Sequence, residues 1–282
     1  MQLFRRNDMR EIRLLALDID GTILTGKKEL TVRTKTAIEA VINRGITVVF
    51  VTGRPHYGVP DELLEVRGLR YLISSNGAIT MDLSTRTVIR KATLDKDTAL
   101  KVIEVPRELD LVYAVFMEGI GYCEPERFER HLKRVRGTPI EAYIRKSRRI
   151  AHDTDRLIRE SPNEVENIWF LARDREQRDQ LSRMIRETWN VQVVVTGEID
   201  VEVGSPGADK GLALKDLADH LRVDRNMIMA IGDNGNDIGM LHSAGIAVAM
   251  GNAEEEVKRA ADLITATNDE NGAAMIMEQL IH

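Results

Sequence analysis

An α/β fold with a parallel-sheet core, interrupted by an inserted α+β domain, follows from three features of the sequence. Short apolar runs near the start of the chain end repeatedly in polar residues. Between residues 84 and 198 that rhythm gives way to hairpin-like and more charged segments, and from residue 199 it returns. The division reads as 1–83 and 199–282 for the core and 84–198 for the insert. A length of 282 residues suits two domains at about 150 residues each.

Residues 14–19, LLALDI, form an apolar run suited to a strand buried on both faces. Thr31 is placed to cap the next helix, whose Ala37, Ile38, Val41 and Ile42 share a face, and Gly45 stops it. Thr47–Val51 is a second buried strand, delivering Thr52, Gly53 and Arg54 at its end. A third, residues 71–73, runs into Ser74, Ser75, Asn76 and Gly77. The carboxyl ends of such strands are where open α/β sheets bind ligands.

Residues 78–82 and Thr87–Lys91 flank a polar turn and read as a hairpin. Further strands are expected at 111–117, 167–172, 191–196 and 199–203, with a helical stripe of Leu181, Met184, Ile185 and Thr188. Within the insert, Arg145, Lys146, Arg148 and Arg149 read as a solvated basic face, and Trp169 and Phe170 as core. The α/β rhythm then resumes with a stripe of Leu214, Leu217, Ala218 and Leu221. Strands follow at 227–231 and 246–250. Asn252 is expected to cap a helix with Glu254, Glu255 and Glu256 in its first turn and Lys258 and Arg259 near its end, a charge order that complements the helix dipole.

Composition narrows the function. Hydrophobic residues make up 43% and charged residues 30%, with a net charge of −5. That is a chain with ample core and no electrostatic reason to bind nucleic acid. One cysteine, Cys123, permits no intrachain disulfide and no thiolate zinc site, as expected of a cytoplasmic protein. No run approaches the length of a membrane span, and the charged start, MQLFRRNDMREIR, does not resemble a signal peptide. Met9 leads directly into the first strand, so the residues before it are expected to be a dispensable extension.

Asp18 and Asp20 sit at the end of the first strand, in DIDGT, and alternate strand residues share a face. Asp233 and Asp237, from GDNGND, follow another strand and bring two more carboxylates to the same sheet edge. Four carboxylates and Lys210 sum to about −3, and a bound phosphate dianion would make about −5, which a partly dry cleft does not tolerate. A divalent cation resolves the problem. Oxygen-only ligands beside a phosphate favour Mg2+.

DIDGT, the TGR of residues 52–54, Lys210 with Gly211, and GDNGND together resemble the four motifs of the haloacid dehalogenase-like (HAD) hydrolase superfamily. Asn76 in SNGA and the closing MGNA and TNDENG segments are similar to its Cof-type, type IIB cap, sugar-phosphate phosphatase branch. The resemblance implies a HAD-like Rossmannoid core carrying an α+β cap. It also implies a Mg2+-dependent phosphatase that acts on a small phosphorylated metabolite through a phosphoaspartate, as a monomer or homodimer.

By that resemblance Asp18 is the nucleophile. Asp20 protonates the leaving oxygen and then activates water, and its backbone carbonyl ligates the metal. Thr52 and the Gly53 amide hold phosphoryl oxygens, with Arg54 and Asn76 as further substrate contacts. Lys210 offsets charge on nucleophile and phosphate. Asp233 ligates the metal, Asn236 and Asp237 complete or support that shell, and Asn236 also reaches phosphate. Keeping an aspartic acid protonated at neutral pH costs about 4 kcal/mol, so the insert is expected to be a lid that desolvates the site. Asp209 stands where the family commonly has Ser, and beside Lys210 it would compete with phosphate.

Three other functions share parts of this pattern. A phosphomutase would use the same nucleophile and return the phosphate to substrate. A phosphoryl-accepting signalling module would gain nothing from Asp20 or from a large insert. A binding protein that had lost catalysis would not keep every catalytic position filled.

Overall fold

A computed structural model describes residues 11–281, and the extension expected before Met9 lies outside the described residues. The early apolar runs form β1 (Leu14–Asp18), β2 (Thr47–Val51) and β3 (Tyr71–Ser74), and the hairpin adds β4 (Ile79–Asp82) and β5 (Thr87–Lys91). The middle of the chain contributes β6 (Tyr113–Met117), β7 (Ile120–Cys123), β8 (Arg148–Ile150), β9 (Asn167–Leu171), β10 (Gln192–Thr196) and β11 (Asp200–Gly204). The last part adds β12 (Ile228–Gly232), β13 (Ile246–Ala249) and β14 (Leu263–Ile264).

Two compact units result. One comprises residues up to Gly53, Pro60–Arg90 and Asp209 onward; the other comprises Arg54–Val59 and Lys91–Ala208. The first holds an eight-stranded sheet in the order β14-β13-β12-β1-β2-β3-β4-β5. Strands β14 through β3 pair in parallel, and β4 turns back antiparallel on β3. Every residue of β1 is buried, which is why it reads as an unbroken apolar run. Register then decides what meets at the sheet edge. Asp18 lies opposite Val51 and Leu17 opposite Ile231, so Thr52 and Asp233 leave their strands close to the level of Asp18.

The helix Val32–Asn43 is capped by Thr31, whose hydroxyl oxygen accepts from the Thr34 amide at 3.1 Å, and it buries Ala37, Ile38 and Val41. The helix Lys210–Leu221 buries Ala213, Leu214, Leu217 and Ala218. Asn252 does not cap the next helix. The cap residue of Glu255–Ala260 is Glu254, while the Asn252 amide donates to the Gly21 carbonyl at 2.9 Å. Residue type alone had suggested the cap; a tertiary partner 231 residues away claims the side chain, and the helix cap falls two residues later.

The second unit is a six-stranded sheet in the order β10-β11-β9-β6-β7-β8. The insert boundaries of 84–198 therefore shift: β5 belongs to the first sheet, and β11 pairs with β9 and β10 in the second. Strand alternation sends Tyr113, Ile168, Phe170 and Val203 into one core of this unit and Phe116 and Trp169 into another, where Phe128 and Leu132 join them from a helix. The expected solvated basic face is mixed. Arg145 pairs with Glu141 at 2.9 Å on the surface, whereas Arg148 is buried, its guanidinium 4.1 Å above the Trp169 ring. Strands β7 and β8 and the helices Pro125–Arg134 and Pro139–Ser147 were not anticipated, although a proline in each first turn was a usable start signal. Among the described residues no helix is long and apolar enough to cross a membrane.

Candidate active site

Buried charge gathers at the carboxyl edge of the first sheet. Asp18 ends β1, and its Oδ1 accepts from Lys210 Nζ at 2.7 Å. The same ammonium donates to Asp237 Oδ1 at 2.6 Å, and all three side chains are buried. Asp237 Oδ2 accepts from the amides of Asp233 and Asn234 at 2.9 and 3.0 Å. Asp237 thus aims the lysine with one oxygen and shapes the GDNGND loop with the other. Carboxylate oxygens of Asp18, Asp233 and Asp237 lie within 4.8 Å of one another.

Lys210 occupies the first turn of its helix, where a cation opposes the helix dipole. Asp209 offsets that. Its Oδ1 accepts from the Gly211 and Leu212 amides at 2.8 and 2.9 Å, so it is the helix cap. The competition with phosphate expected from its position is thereby answered: the carboxylate satisfies the helix end.

Three carboxylates against one ammonium leave two negative charges uncompensated. Burial and then the neighbouring Asp237 push the Asp18 carboxyl well above the usual range, and Lys210 only partly opposes them. Burial and Asp237 likewise raise Asp233 to about 6, against the Thr22 hydroxyl, which donates to Asp233 Oδ1 at 2.8 Å. Burial disfavours the Lys210 ammonium, yet Asp18 and Asp237 outweigh it and hold that group above its ordinary value. Carboxylates held this close favour a proton or a cation between them. The all-oxygen donor set and the excess negative charge fit a hard divalent cation. Asp233 would hold it with Asp18, and Asp237 would support both.

The remaining sequence-predicted residues divide. Thr52 is buried just beyond β2, its amide donating to Ile73 O at 2.8 Å and its carbonyl accepting from the Asn76 amide at 3.0 Å. Asn76 follows Ser75 in a pair of left-handed residues, φ 53° and 50°, and its side-chain carbonyl accepts from Asn236 Nδ2 at 2.9 Å. A Cβ on Gly53 would stand 3.0 Å from that same Asn76 oxygen, so Gly53, Asn76 and Asn236 are neighbours. Asn236 Oδ1 is buried without a hydrogen-bond partner, an acceptor that a bound ligand's donor would satisfy. Asp20 is part-exposed, and its Oδ1 accepts from Lys28 Nζ at 2.9 Å. Arg54 belongs to the second unit, where its guanidinium lies 4.9 Å from the centre of the Tyr143 ring and donates to the Gly58 carbonyl at 2.9 Å.

Residue-by-residue reading passed over Thr22, Lys28 and Asn268, and gave Asn252 only as a helix cap. Thr22 steadies Asp233, and Asn252 links the Gly21 carbonyl to the Asn268 amide, which its Oδ1 accepts at 2.9 Å. Three of these lay within noticed motifs, Thr22 closing DIDGT, Asn252 in MGNA and Asn268 in TNDENG, whereas Lys28 lay in none.

The family model of haloacid dehalogenase-like hydrolases matches residues 15–277, and the chain belongs to that family. Phosphatase YwpJ of Bacillus subtilis is 31% identical over 96% of this chain and 100% of its own length. A second B. subtilis relative, 5-amino-6-(5-phospho-D-ribitylamino)uracil phosphatase YcsE, is 27% identical over 96% of both chains. The solved structure of a haloacid dehalogenase-like hydrolase from B. subtilis superposes with a TM-score of 0.83 at 30% identity, covering 95% of this chain and 99% of that one.

Proposed function

We propose that this protein is a Mg2+-dependent phosphatase that hydrolyses small cytoplasmic phosphate monoesters through a phosphoaspartate on Asp18. The observation that carries the reading is the buried contact of Asp18 with Lys210 at 2.7 Å beside two further carboxylates. A carboxylate in that setting is a nucleophile held in place by a cation.

Phosphoryl transfer depends mainly on positioning and on neutralising charge. One oxygen of Asp18 attacks phosphorus as the bond to the leaving oxygen breaks, and Asp20 gives that oxygen its proton. Asp20 then takes a proton from the water that opens the acyl phosphate. Lys210 offsets charge on Asp18 and on the phosphoryl oxygens, while Thr52 and the Gly53 amide hold the phosphoryl group. When bound, the divalent cation supplies the positive charge that keeps Asp18 ionised and shields it from the phosphate. YcsE, a phosphatase by name, takes a phosphorylated ribityl compound, and the same class of small phosphate ester suits this site.

The test is phosphate release from a panel of metabolite phosphates with Mg2+, run beside Asp18→Asn. The variant is expected to keep its fold and lose about 10³-fold or more in turnover, and chelation of the metal is expected to abolish turnover in the wild type. Comparable turnover by the variant would remove Asp18 as the nucleophile. Transfer of the phosphoryl group back to substrate, with no inorganic phosphate, would favour a phosphomutase.

A further inference from the structure

The loop that follows DIDGT is built with more restraint than a surface turn needs. The Lys28 amide donates to the Thr25 carbonyl at 2.8 Å, and the Glu29 amide to the Thr25 hydroxyl at 3.2 Å. Lys28 itself adopts φ 64°, a left-handed conformation that costs a non-glycine residue about 1 kcal/mol. Its ammonium meets Asp20 Oδ1 at 2.9 Å, but the side chains are 41% and 32% exposed. A pair that wet contributes at most about 1 kcal/mol to stability. Left-handed residues occur at several other turns of this chain, so the weight falls on what holds this one.

Two distant segments hold it. The Gly26 amide donates to Asp269 Oδ1 at 2.8 Å, and Asn268 Nδ2 donates to the Leu24 carbonyl at 2.8 Å. The Asn268 amide in turn donates to Asn252 Oδ1 at 2.9 Å, and Asn252 donates to the Gly21 carbonyl. Isolated bridges pair Leu24 with both Asp20 and Leu30. The lysine, its turn and Asp20 are therefore clamped from the MGNA and TNDENG segments, neither of which has a part in the chemistry above.

We infer that Lys28 is a positioning residue for Asp20, and that the loop around Asn268 and Asp269 is the anchor that makes this positioning rigid. The inference rests on the phosphatase reading. A side chain that must deliver a proton to the leaving oxygen and then accept one from water has to stay in one place through both steps, and small displacements of such groups are costly. The Lys28 ammonium, fixed by its clamped turn, restrains the Asp20 carboxylate at 2.9 Å. The proton still passes from the Asp20 carboxyl to the leaving oxygen as the P–O bond breaks; Lys28 touches only Asp20.

The experiment compares full-length wild type, Lys28→Met and Lys28→Arg on phenyl phosphate and 4-nitrophenyl phosphate with Mg2+. Phenolate needs a proton to leave more than 4-nitrophenolate does, and kcat/KM covers only the steps up to its departure. Lys28→Met is expected to lower kcat/KM about tenfold on phenyl phosphate and less than about threefold on 4-nitrophenyl phosphate. Lys28→Arg should recover most of the loss. Placed on Asp20→Asn, Lys28→Met should change kcat/KM by less than about twofold, the non-additivity of residues acting as one unit. Asp269→Ala is expected to show the same leaving-group bias at smaller amplitude. Equal losses on the two esters, or a full additional loss on the Asp20→Asn background, overturn the role of Lys28 while leaving the phosphatase reading intact. A wild type that releases phosphate from neither ester overturns both. Thermal melting checks that each variant is folded.

Discussion

The two units handle buried charge in opposite ways. In the first, Asp18, Lys210 and Asp237 are buried together, and with Asp233 they leave negative charge uncompensated. In the second, several buried polar groups are met one by one. Arg127 donates to Glu124 Oε2 at 2.8 Å, and Glu166 Oε1 accepts from the Gly119 amide at 2.7 Å. Arg148 contacts His131 Nδ1 at 2.5 Å and stacks on Trp169, which itself lies 4.7 Å from the His131 ring. Burial and then Arg148 push His131 down to about 3, so it stays neutral and accepts from the guanidinium. The second unit meets its buried cations with carboxylates, a neutral imidazole and a ring, whereas the first leaves a cluster of three carboxylates against one ammonium.

Replacing the central cation of each unit by methionine should separate these cases most widely. Lys210→Met leaves two carboxylates buried without their counterion, so turnover should fall at least about 10²-fold, with about 3–5 kcal/mol lost from stability. Arg148→Met removes a cation–π contact and should cost no more than about 2 kcal/mol. Denaturant melts of both variants measure the gap, and similar losses would erase the distinction drawn between the units.

A smaller contrast uses two glycines. Gly21 has φ +87°, and a Cβ there would stand 2.2 Å from Asp233 Oδ2; Gly137 has φ +75° with nothing within 4 Å. Alanine at either position should cost about 1–2 kcal/mol for the left-handed backbone. Only Gly21→Ala should also weaken Mg2+ dependence of activity, by about tenfold, read by titrating the metal. Equal effects on activity would mean that Asp233 tolerates displacement.

The smallest effect lies at a paired carboxylate away from the site. Asp82 is held at about 2 chiefly by the Arg70 guanidinium at 2.8 Å, with the Ser84 hydroxyl and amide assisting. Its folded value is below its unfolded one, so its stabilisation is complete above about pH 4 and fades as the pH falls toward 2. Asp82→Asn should flatten that part of the acid-stability curve by lowering stability modestly above about pH 4 while leaving it little changed near pH 2, as followed by melts between pH 2 and pH 7. A curve that keeps its slope would assign the acid sensitivity to other carboxylates.

Legibility in the sequence also differed between the units. The first was readable because its parallel strands are buried on both faces, and an uninterrupted apolar run followed by a polar motif is hard to mistake. Asp18, Thr52, Lys210, Asp233 and Asp237 were each found at the end of such a run or the start of a helix. The second unit pairs mostly antiparallel strands whose residues alternate between two cores, so β7 and β8 carry weak patterns, and a buried Arg148 looked like one of four surface cations.

From residues alone came the fold class and the two-part organisation, because these follow from periodicity. The motif resemblance pointed to Asp18, Lys210, Asp233 and Asp237, which the fold brings together. Of the four carboxylates expected there, Asp20 lies outside the cluster. Only the folded chain decided that Asp209 caps a helix, that Asn252 bridges loops, that Arg54 lies with the insert and that Lys28 reaches Asp20. Asn252 finds its partner 231 residues away, and a hydrogen bond of 2.9 Å between such positions leaves no periodic trace in the sequence. Asp209 and Lys28 find theirs nearby, where the backbone conformation rather than any residue pattern selects the partner.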